Sequence, residues 1–135
     1  MDRLKALLHA HPHPASDAGE EALACIAATA ECAAACTACA DACLAEEEVA
    51  ALVKCIRLNL DCADICEVAA RLIARASRRD EPTLEAMLDA CVTICRACAD
   101  ECDAHAEGME HCEFCAEACR VCAEACERMV AALVP

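Results

Sequence analysis

Cysteine recurs along this chain at the spacing of a helix face, and this repeat limits the folds that the chain can adopt. Seventeen of its 135 residues are cysteine, and nearly every one lies three, four or seven positions after the last. Side chains at those intervals share one side of an α-helix. The cysteines form four groups: Cys25, Cys32, Cys36, Cys39 and Cys43; Cys55, Cys62 and Cys66; Cys91, Cys95, Cys98 and Cys102; and Cys112, Cys115, Cys119, Cys122 and Cys126. The repeat therefore predicts an all-α protein in which thiols take the core positions that leucine and isoleucine usually hold.

The first residues differ in composition from the rest of the chain. Pro12 and Pro14 would interrupt any early helix, so we expect residues 1–15 to form a flexible N-terminal arm and residues 16–135 to form the cysteine-rich domain. The same segment carries three alternating histidines, His9, His11 and His13. We interpret them as part of a linker, with capture of a metal ion as the alternative.

Turn and capping residues divide the remaining chain into four helices. Asp17 gives an N-cap signature for the first helix, Pro82 opens the third, and Gly108 separates the third from the fourth. The predicted helices run from about 16 to 45, 47 to 77, 82 to 107 and 109 to 133, with Arg75, Arg78 and Arg79 near the end of the second. Because the connections are short, neighbouring helices should be antiparallel, which gives an up-down-up-down four-helix bundle.

Antiparallel helices would bring different side chains to the two ends of this bundle. One end collects hydrocarbon side chains, namely Leu23, Ile26, Leu72, Ile73, Leu84, Met87, Leu88, Met129, Val130 and Leu133. The other end, called the mouth below, collects donors for soft or borderline metals, namely Cys43, Cys55, Cys102, His105, Met109, His111 and Cys112. We expect metal ions to reach the core through the mouth.

Asn59 interrupts the thiol stripe of the second helix. It falls between Cys55 and Cys62 and in phase with them, so its amide is expected to be buried and to need a partner. Two interpretations stay open: Asn59 is a minor metal ligand, or it is a hydrogen-bonded core residue.

Charge and cysteine usage exclude several classes of function. The formal net charge is −14, with 25 acidic and 11 basic side chains, which argues against binding to nucleic acid or to an anionic membrane surface. We find no signal-peptide core, because the apolar run Ala6–Leu8 is too short, and no run of about 20 apolar residues. The chain is therefore expected in the cytoplasm, where thiols stay reduced and a dense cysteine pattern indicates metal binding rather than disulfides.

The thiol pattern favours Cu(I) over the other metals that cysteine binds. Iron–sulfur motifs lie in loops and are often followed by proline, unlike these cysteines within helices. Zinc could bind four thiolates from facing helices, but repeated tetrathiolate sites would accumulate negative charge in a core of low dielectric constant. Cu(I), bound at about one ion per thiolate, neutralises each sulfur as it loads, and soft thiolates prefer it.

The helical spacing of the thiols also suits a two-coordinate ion. With a metal–sulfur bond of about 2.3 Å, two sulfurs on one ion lie a little over 4 Å apart, within reach of side chains at i and i+4. The pairs with this spacing are Cys32/Cys36, Cys39/Cys43, Cys62/Cys66, Cys91/Cys95, Cys98/Cys102, Cys115/Cys119 and Cys122/Cys126.

Three segments of the chain share one cysteine spacing, and this repeat resembles that of a known protein family. They begin at Cys36, Cys95 and Cys119 and each reads Cys-x2-Cys-x3-Cys. From about Asp17 to Val134 the chain resembles the bacterial copper storage proteins, which implies a four-helix bundle whose core cysteines hold many Cu(I) ions per chain.

The resemblance has further implications for this chain. Without an export signal the chain is similar to the cytosolic branch of that family, which implies a homotetramer and makes His105 and His111 candidates for the point of copper uptake. Copper ions are the expected ligands, and a copper chaperone is a candidate partner. The second helix departs from the pattern because it carries only three cysteines, so copper filling there is expected to be uneven.

Other functions remain as alternatives to copper storage. Buffering of zinc or another thiophilic metal, a thiol redox buffer and a purely structural self-association bundle each predict a different response to metal, oxidant or cysteine replacement. An enzyme is not expected, because the chain has no Ser-His-Asp order and no glycine-rich phosphate loop.

Overall fold

Four long helices form the body of the molecule. The computed structural model describes residues 2–14, 19–75 and 80–133. Its elements are α1 (Asp2–His9), α2 (Gly19–Leu44), a 3₁₀ helix (Val49–Leu52), α3 (Val53–Ala74), α4 (Glu81–Asp103) and α5 (Glu110–Leu133). Each of α2 to α5 packs against the helix next to it in the chain, and α2 also packs against α5. These contacts close a ring of four helices, so the predicted four-helix bundle is confirmed.

Sulfur contacts show that α2 and α5 are antiparallel and in register. Sγ of Cys25 lies 3.7 Å from Sγ of Cys126, and Sγ of Cys32 lies 3.8 Å from Sγ of Cys119. Moving forward along α2 thus means moving backward along α5. The two helices therefore face each other along a seam of thiols.

The helices α3 and α4 are related in the same way. Sγ of Cys66 lies 3.5 Å from Sγ of Cys91, and Sγ of Cys55 lies 3.7 Å from Sγ of Cys102. The four helices consequently present their cysteines to one central column.

The start of α4 shows how local sequence sets a helix boundary. Asp80 is the N-cap, and its carboxylate accepts hydrogen bonds from the backbone N–H of Thr83 at 3.1 Å and from the Thr83 hydroxyl at 2.6 Å. These hydrogen bonds lower the pKa of Asp80. Pro82 lies in the first turn, where its missing N–H leaves no helical hydrogen bond unmade. The predicted start at Pro82 is thus correct to within one residue.

The connection between α2 and α3 differs from the predicted one. We expected a helix from about residue 47, whereas Val49–Leu52 is a 3₁₀ helix and the α-helix begins at Val53. The side chain of Glu46 does not cap the new helix but contacts His111 on α5, with 3.0 Å between Oε2 and Nε2. Leu52 is buried beside this connection. Tertiary contacts, rather than the acidic run, therefore decide where α3 begins.

The first residues include a helix that the sequence analysis did not assign. Within α1, Leu4 and Leu8 pack against the core of the bundle. The helix ends at His9, before Pro12, where an interruption was expected. The predicted N-cap Asp17 and the arginines Arg78 and Arg79 lie outside the described residues.

The hydrocarbon end has the expected composition. Ile73, Leu84, Leu88 and Met129 are each at most 2% exposed, and Ile26 is 5% exposed. Leu72, Met87, Val130 and Leu133 pack against the buried core from partly exposed positions, whereas Leu23 is half-buried. A further residue, Thr29, is buried without having been predicted, and its hydroxyl donates to the carbonyl of Cys25 at 2.7 Å.

One helix is apolar enough to pass a test for membrane spans. By length and composition alone α2 qualifies, with a mean hydropathy of 1.6 over its most apolar stretch. Alanine and cysteine account for this value, and all five cysteines of α2 are buried inside the bundle. A buried core helix of this composition meets the same criteria of length and hydropathy as a membrane span.

Candidate metal centre

All seventeen cysteines lie in the interior as free thiols. None is paired in a disulfide, and each is at most 2% exposed. A buried thiol makes a weak hydrogen-bond donor and a soft metal ligand. The core is therefore a column of potential ligands that solvent does not reach.

The thiols gather into groups with the dimensions of a metal site. Three such groups contain four sulfurs that all lie within 4.8 Å of one another: Cys32, Cys66, Cys95 and Cys122; Cys32, Cys36, Cys62 and Cys119; and Cys36, Cys98, Cys115 and Cys119. A further group of three is Cys39, Cys102 and Cys115. Because Cys32, Cys36 and Cys119 each belong to two groups, the column consists of overlapping clusters rather than separate sites.

Close sulfur contacts occur both within helices and between them. Within one helix, the i and i+4 pairs Cys32/Cys36 and Cys62/Cys66 each have their sulfurs 3.8 Å apart. Between helices, Sγ of Cys66 also lies 3.6 Å from Sγ of Cys95 and 3.8 Å from Sγ of Cys122. Such separations are close to the roughly 4 Å expected for two sulfurs on one Cu(I). These two pairs within helices belong to the seven that the i, i+4 spacing predicted, and the sequence could not identify partners on different helices.

The mouth holds a mixed site of sulfur and nitrogen. Cys39, Cys43, Cys112 and His111 form a group whose donor atoms all lie within 4.8 Å of one another. Nδ1 of His111 lies 3.5 Å from Sγ of Cys39 and 3.6 Å from Sγ of Cys112. The His111 ring is half-buried, and its other nitrogen faces Glu46. His111 is therefore placed beside the outermost thiols.

His105 has a different environment at the same end. Its Nε2 lies 3.1 Å from Oε2 of Glu101, one turn earlier on α4, and Oε1 of Glu101 also pairs with Lys54 Nζ at 3.6 Å. The structure thus brings His105 into contact with a carboxylate. The other predicted mouth residue, Met109, is half-buried and packs against the core.

Asn59 is fully buried among the thiols of the mouth half of the column. Its Nδ2 donates to the carbonyl of Cys55 at 3.0 Å and approaches Sγ of Cys55 at 3.4 Å. Its Oδ1 accepts from the thiols of Cys115 at 3.0 Å and Cys98 at 3.2 Å. The amide is therefore hydrogen-bonded on both sides, and its oxygen faces two thiols that also belong to a metal-sized group.

The thiols at the mouth differ in the direction in which their pKa is shifted. Burial raises the pKa of Cys43, and burial together with the neighbouring charges of Cys43 and Cys55 raises the pKa of Cys112 to about 12. Hydrogen bonding from Cys102 instead lowers the pKa of Cys55. Binding of a metal ion to Cys112 must therefore displace a proton, which makes metal affinity depend on pH.

Two carboxylates at the mouth were missed by sequence reasoning. Glu46 and Glu101 contact the two candidate histidines. The i to i+4 spacing of Glu101 and His105 would have identified one pair. Glu46 and His111 are 65 positions apart, so no local signal could have paired them.

Comparison with known proteins shows that this chain is similar to copper storage proteins. The family model described as copper storage protein matches residues 18–131. The copper storage protein Ccsp of Streptomyces lividans, in a structure loaded with 10 copper equivalents, is 46% identical with a TM-score of 0.93, covering 96% of this chain and 98% of that one.

Two further structures are similar. The cytosolic copper storage protein of Streptomyces lividans with five coppers is 51% identical, with a TM-score of 0.82, covering 83% of this chain and 93% of that one. The Cu(I)-bound copper storage protein Csp3 of Bacillus subtilis is 39% identical, with a TM-score of 0.73, covering 82% of this chain and 98% of that one. All three are described by their bound copper.

Proposed function

Because the chain belongs to the copper storage protein family, we propose that it stores many Cu(I) ions on the thiols of its bundle core. The observation that carries this proposal is the overlap of the thiol groups, in which Cys32, Cys36 and Cys119 are each shared by two clusters. A thiolate can bridge two Cu(I) ions, so shared sulfurs allow a continuous column of metal to form.

Charge explains why the ion should be monovalent. The protein already carries a formal charge of −14, and ionised thiolates in the dry core would add to it. Each Cu(I) that replaces a thiol proton leaves the net charge of the core unchanged. A divalent ion held by four thiolates leaves surplus negative charge, whose cost rises in a medium of low dielectric constant.

The proposed ligands are the cysteines of the column with a few neighbours. Cys39, Cys43, Cys112 and His111 would receive ions at the mouth, since this group combines three thiols with the half-buried nitrogen of His111. The Asn59 oxygen and Met109 are proposed as minor ligands, and His105 as a second histidine at the mouth. The protons displaced from the thiols would leave through the same opening.

The proposal includes four further properties. The chain would act in the cytoplasm, as a related protein of Streptomyces lividans is described as cytosolic. It would assemble as a homotetramer and receive copper from a copper chaperone. Its role would be storage, which is the role that the family description names, and we propose no catalytic activity.

Titration with Cu(I) tests the proposal directly. The fully reduced protein is titrated with Cu(I) against a coloured chelator that competes for the ion, with a variant in which every cysteine of α5 is replaced by serine as the comparison. We expect the intact chain to bind many ions, close to one per thiol, and the variant to lose at least the share that α5 contributes. Saturation after one or two ions would contradict storage.

Zinc buffering is the second candidate, because Cys32, Cys66, Cys95 and Cys122 form a group of four thiols that fits a tetrahedral site. The group of Cys36, Cys98, Cys115 and Cys119 shares no member with it, so two zinc ions would fill these two groups. The same titration with Zn²⁺ separates the candidates. Tight uptake of about two zinc ions, with weak Cu(I) binding, would favour the zinc function.

A further inference from the structure

Glu46 and His111 form a carboxylate–histidine pair that points into the thiol column. Oε2 of Glu46 lies 3.0 Å from Nε2 of His111, and the opposite ring nitrogen, Nδ1, lies 3.5 Å from Sγ of Cys39 and 3.6 Å from Sγ of Cys112. Both side chains are about one third exposed, at 36% and 29%. The pair therefore lies at the boundary between solvent and the buried sulfur.

The hydrogen bond determines which ring nitrogen can bind a metal. An ionised carboxylate only accepts hydrogen bonds, so Nε2 of His111 must carry the proton that it donates to Glu46. In the neutral ring Nδ1 then has the free lone pair, and that lone pair faces the two sulfurs. Carboxylates that bind the far nitrogen of a ligating histidine fix its orientation in many metal sites.

We propose that Glu46 is a positioning residue for copper uptake, which holds His111 so that its Nδ1 completes a site with Cys39 and Cys112. This inference rests on the proposed storage function and assigns a role to a residue that does not itself touch the ion. An arriving Cu(I) would meet one nitrogen and two sulfurs already facing one another. The protons of the two thiols would be released to solvent as the sulfur–copper bonds form.

The second histidine of the mouth lacks this arrangement. His105 also contacts a carboxylate through Nε2, but that carboxylate lies only four residues earlier, in the last turn of α4, and pairs with Lys54 as well. His111, in contrast, lies with the thiols of Cys39, Cys43 and Cys112 in one group of donor atoms. Glu46 lies in the connection after α2 and contacts His111 on α5, so it links this connection to the candidate ligand.

A double-mutant cycle tests whether Glu46 acts through His111. Cu(I), supplied as its bicinchoninate complex, is mixed with reduced protein in a stopped-flow instrument, and the initial rate of uptake is compared for the wild type, Glu46→Ala, His111→Ala and the double variant. We expect Glu46→Ala to slow uptake about tenfold and to have no further effect once His111 is removed. A full effect of Glu46→Ala in the His111→Ala background would overturn the proposal.

Two matched variants separate positioning from charge. Glu47→Ala removes the same charge from the next residue, whose side chain is exposed, and we expect a rate within twofold of wild type. Glu46→Gln keeps an oxygen that can accept from Nε2–H, and we expect it to retain most of the rate. If Glu47→Ala slows uptake as much as Glu46→Ala, or if Glu46→Gln is as slow as Glu46→Ala, simple attraction of the cation explains the effect and the proposal fails.

Nuclear magnetic resonance measures the same relationship without copper. Long-range ¹H–¹⁵N spectra of protein with labelled histidine, recorded at about pH 8.5 where an ordinary histidine is neutral, report which nitrogen is protonated. We expect His111 to be protonated at Nε2 in the wild type and to show a mixture of tautomers in Glu46→Ala. A proton on Nδ1 in the wild type would overturn the proposal even if copper storage holds, whereas failure of the wild type to bind Cu(I) would remove the storage function and leave this spectrum unchanged.

Discussion

The amide oxygen of Asn59 accepts a hydrogen bond from the Cys115 thiol at 3.0 Å in the fully buried core. The same oxygen accepts from Cys98 on a third helix at 3.2 Å. One side chain of α3 thereby connects thiols of α4 and α5. A polar group in this position stabilises the metal-free bundle only while these contacts persist.

Replacing Asn59 should destabilise the metal-free protein and leave its copper capacity nearly unchanged. Asn59→Ala removes the acceptor for two buried thiols and leaves a small cavity, so we expect the free energy of unfolding to fall by about 1 to 3 kcal/mol. Denaturant unfolding of the reduced apo-protein measures this loss. The number of Cu(I) ions bound should change by at most about one, because the thiols remain.

Thr29 provides a control for a buried polar side chain that does not connect helices. Its hydroxyl donates to carbonyls of its own helix, at Cys25 and Ile26, whose oxygens already lie within a helical hydrogen-bond ladder. Thr29→Val should therefore cost less than about 1 kcal/mol. Equal losses for Thr29→Val and Asn59→Ala would show that links between helices add nothing at Asn59.

The hydrocarbon end should supply stability without contributing to copper binding. Leu88 is fully buried, so Leu88→Ala is expected to lower the free energy of unfolding by about 2 to 5 kcal/mol, through lost burial and the cavity that remains. Leu60, which is 47% exposed, gives the control Leu60→Ala with an expected loss below about 1 kcal/mol. Copper capacity per folded chain should equal that of the wild type in both variants, and a large loss in Leu88→Ala would contradict the separation of the two ends.

The sequence could predict each of the four bundle helices and the face that it buries, because both follow from local spacing. The thiol stripe of α2, from Cys25 to Cys43, needs only the periodicity of the helix. The link from Glu46 to His111 depends on the 3₁₀ helix at Val49–Leu52 and on how α2 packs against α5. Such long-range register is set by tertiary packing, and no pattern within one helix encodes it.

Copper capacity should depend on where in the column a thiol is lost. The sulfur of Cys66 lies within 3.8 Å of the sulfurs of Cys62, Cys91, Cys95 and Cys122. The sulfur of Cys25 makes one such contact, with Cys126 at 3.7 Å, among the contacts found in the described residues. Cys66→Ala should therefore reduce the number of bound Cu(I) ions by more than one, and Cys25→Ala by about one.

Metal analysis of fully loaded, desalted protein measures this difference between the two cysteine variants. Circular dichroism of the apo-proteins serves as the control, since both replacements are expected to leave the helix content unchanged. Equal copper losses in Cys66→Ala and Cys25→Ala would mean that the ions bind independently at separate thiols rather than in shared clusters.

High pH should destabilise the metal-free protein through Cys112. Its pKa rises from 9.0 to about 12 on folding because its charged form would be buried beside Cys43 and Cys55. Between these values the unfolded chain loses the proton while the folded chain keeps it, so the folded state binds more protons and its stability falls as pH rises. Below about pH 9 both states are protonated, and the full contribution of this group is present.

Denaturant unfolding under reducing conditions at pH 8.5 and pH 10.5 measures the effect. We expect the wild type to lose stability across this interval and Cys112→Ala to lose less, with a difference smaller than the roughly 1.4 kcal/mol per pH unit of one fully linked proton. The matched variant Cys25→Ala keeps Cys112 and should follow the wild-type slope. A steeper fall in Cys112→Ala than in the wild type would show that Cys112 is already ionised in the folded core, so that copper binding there would release no proton.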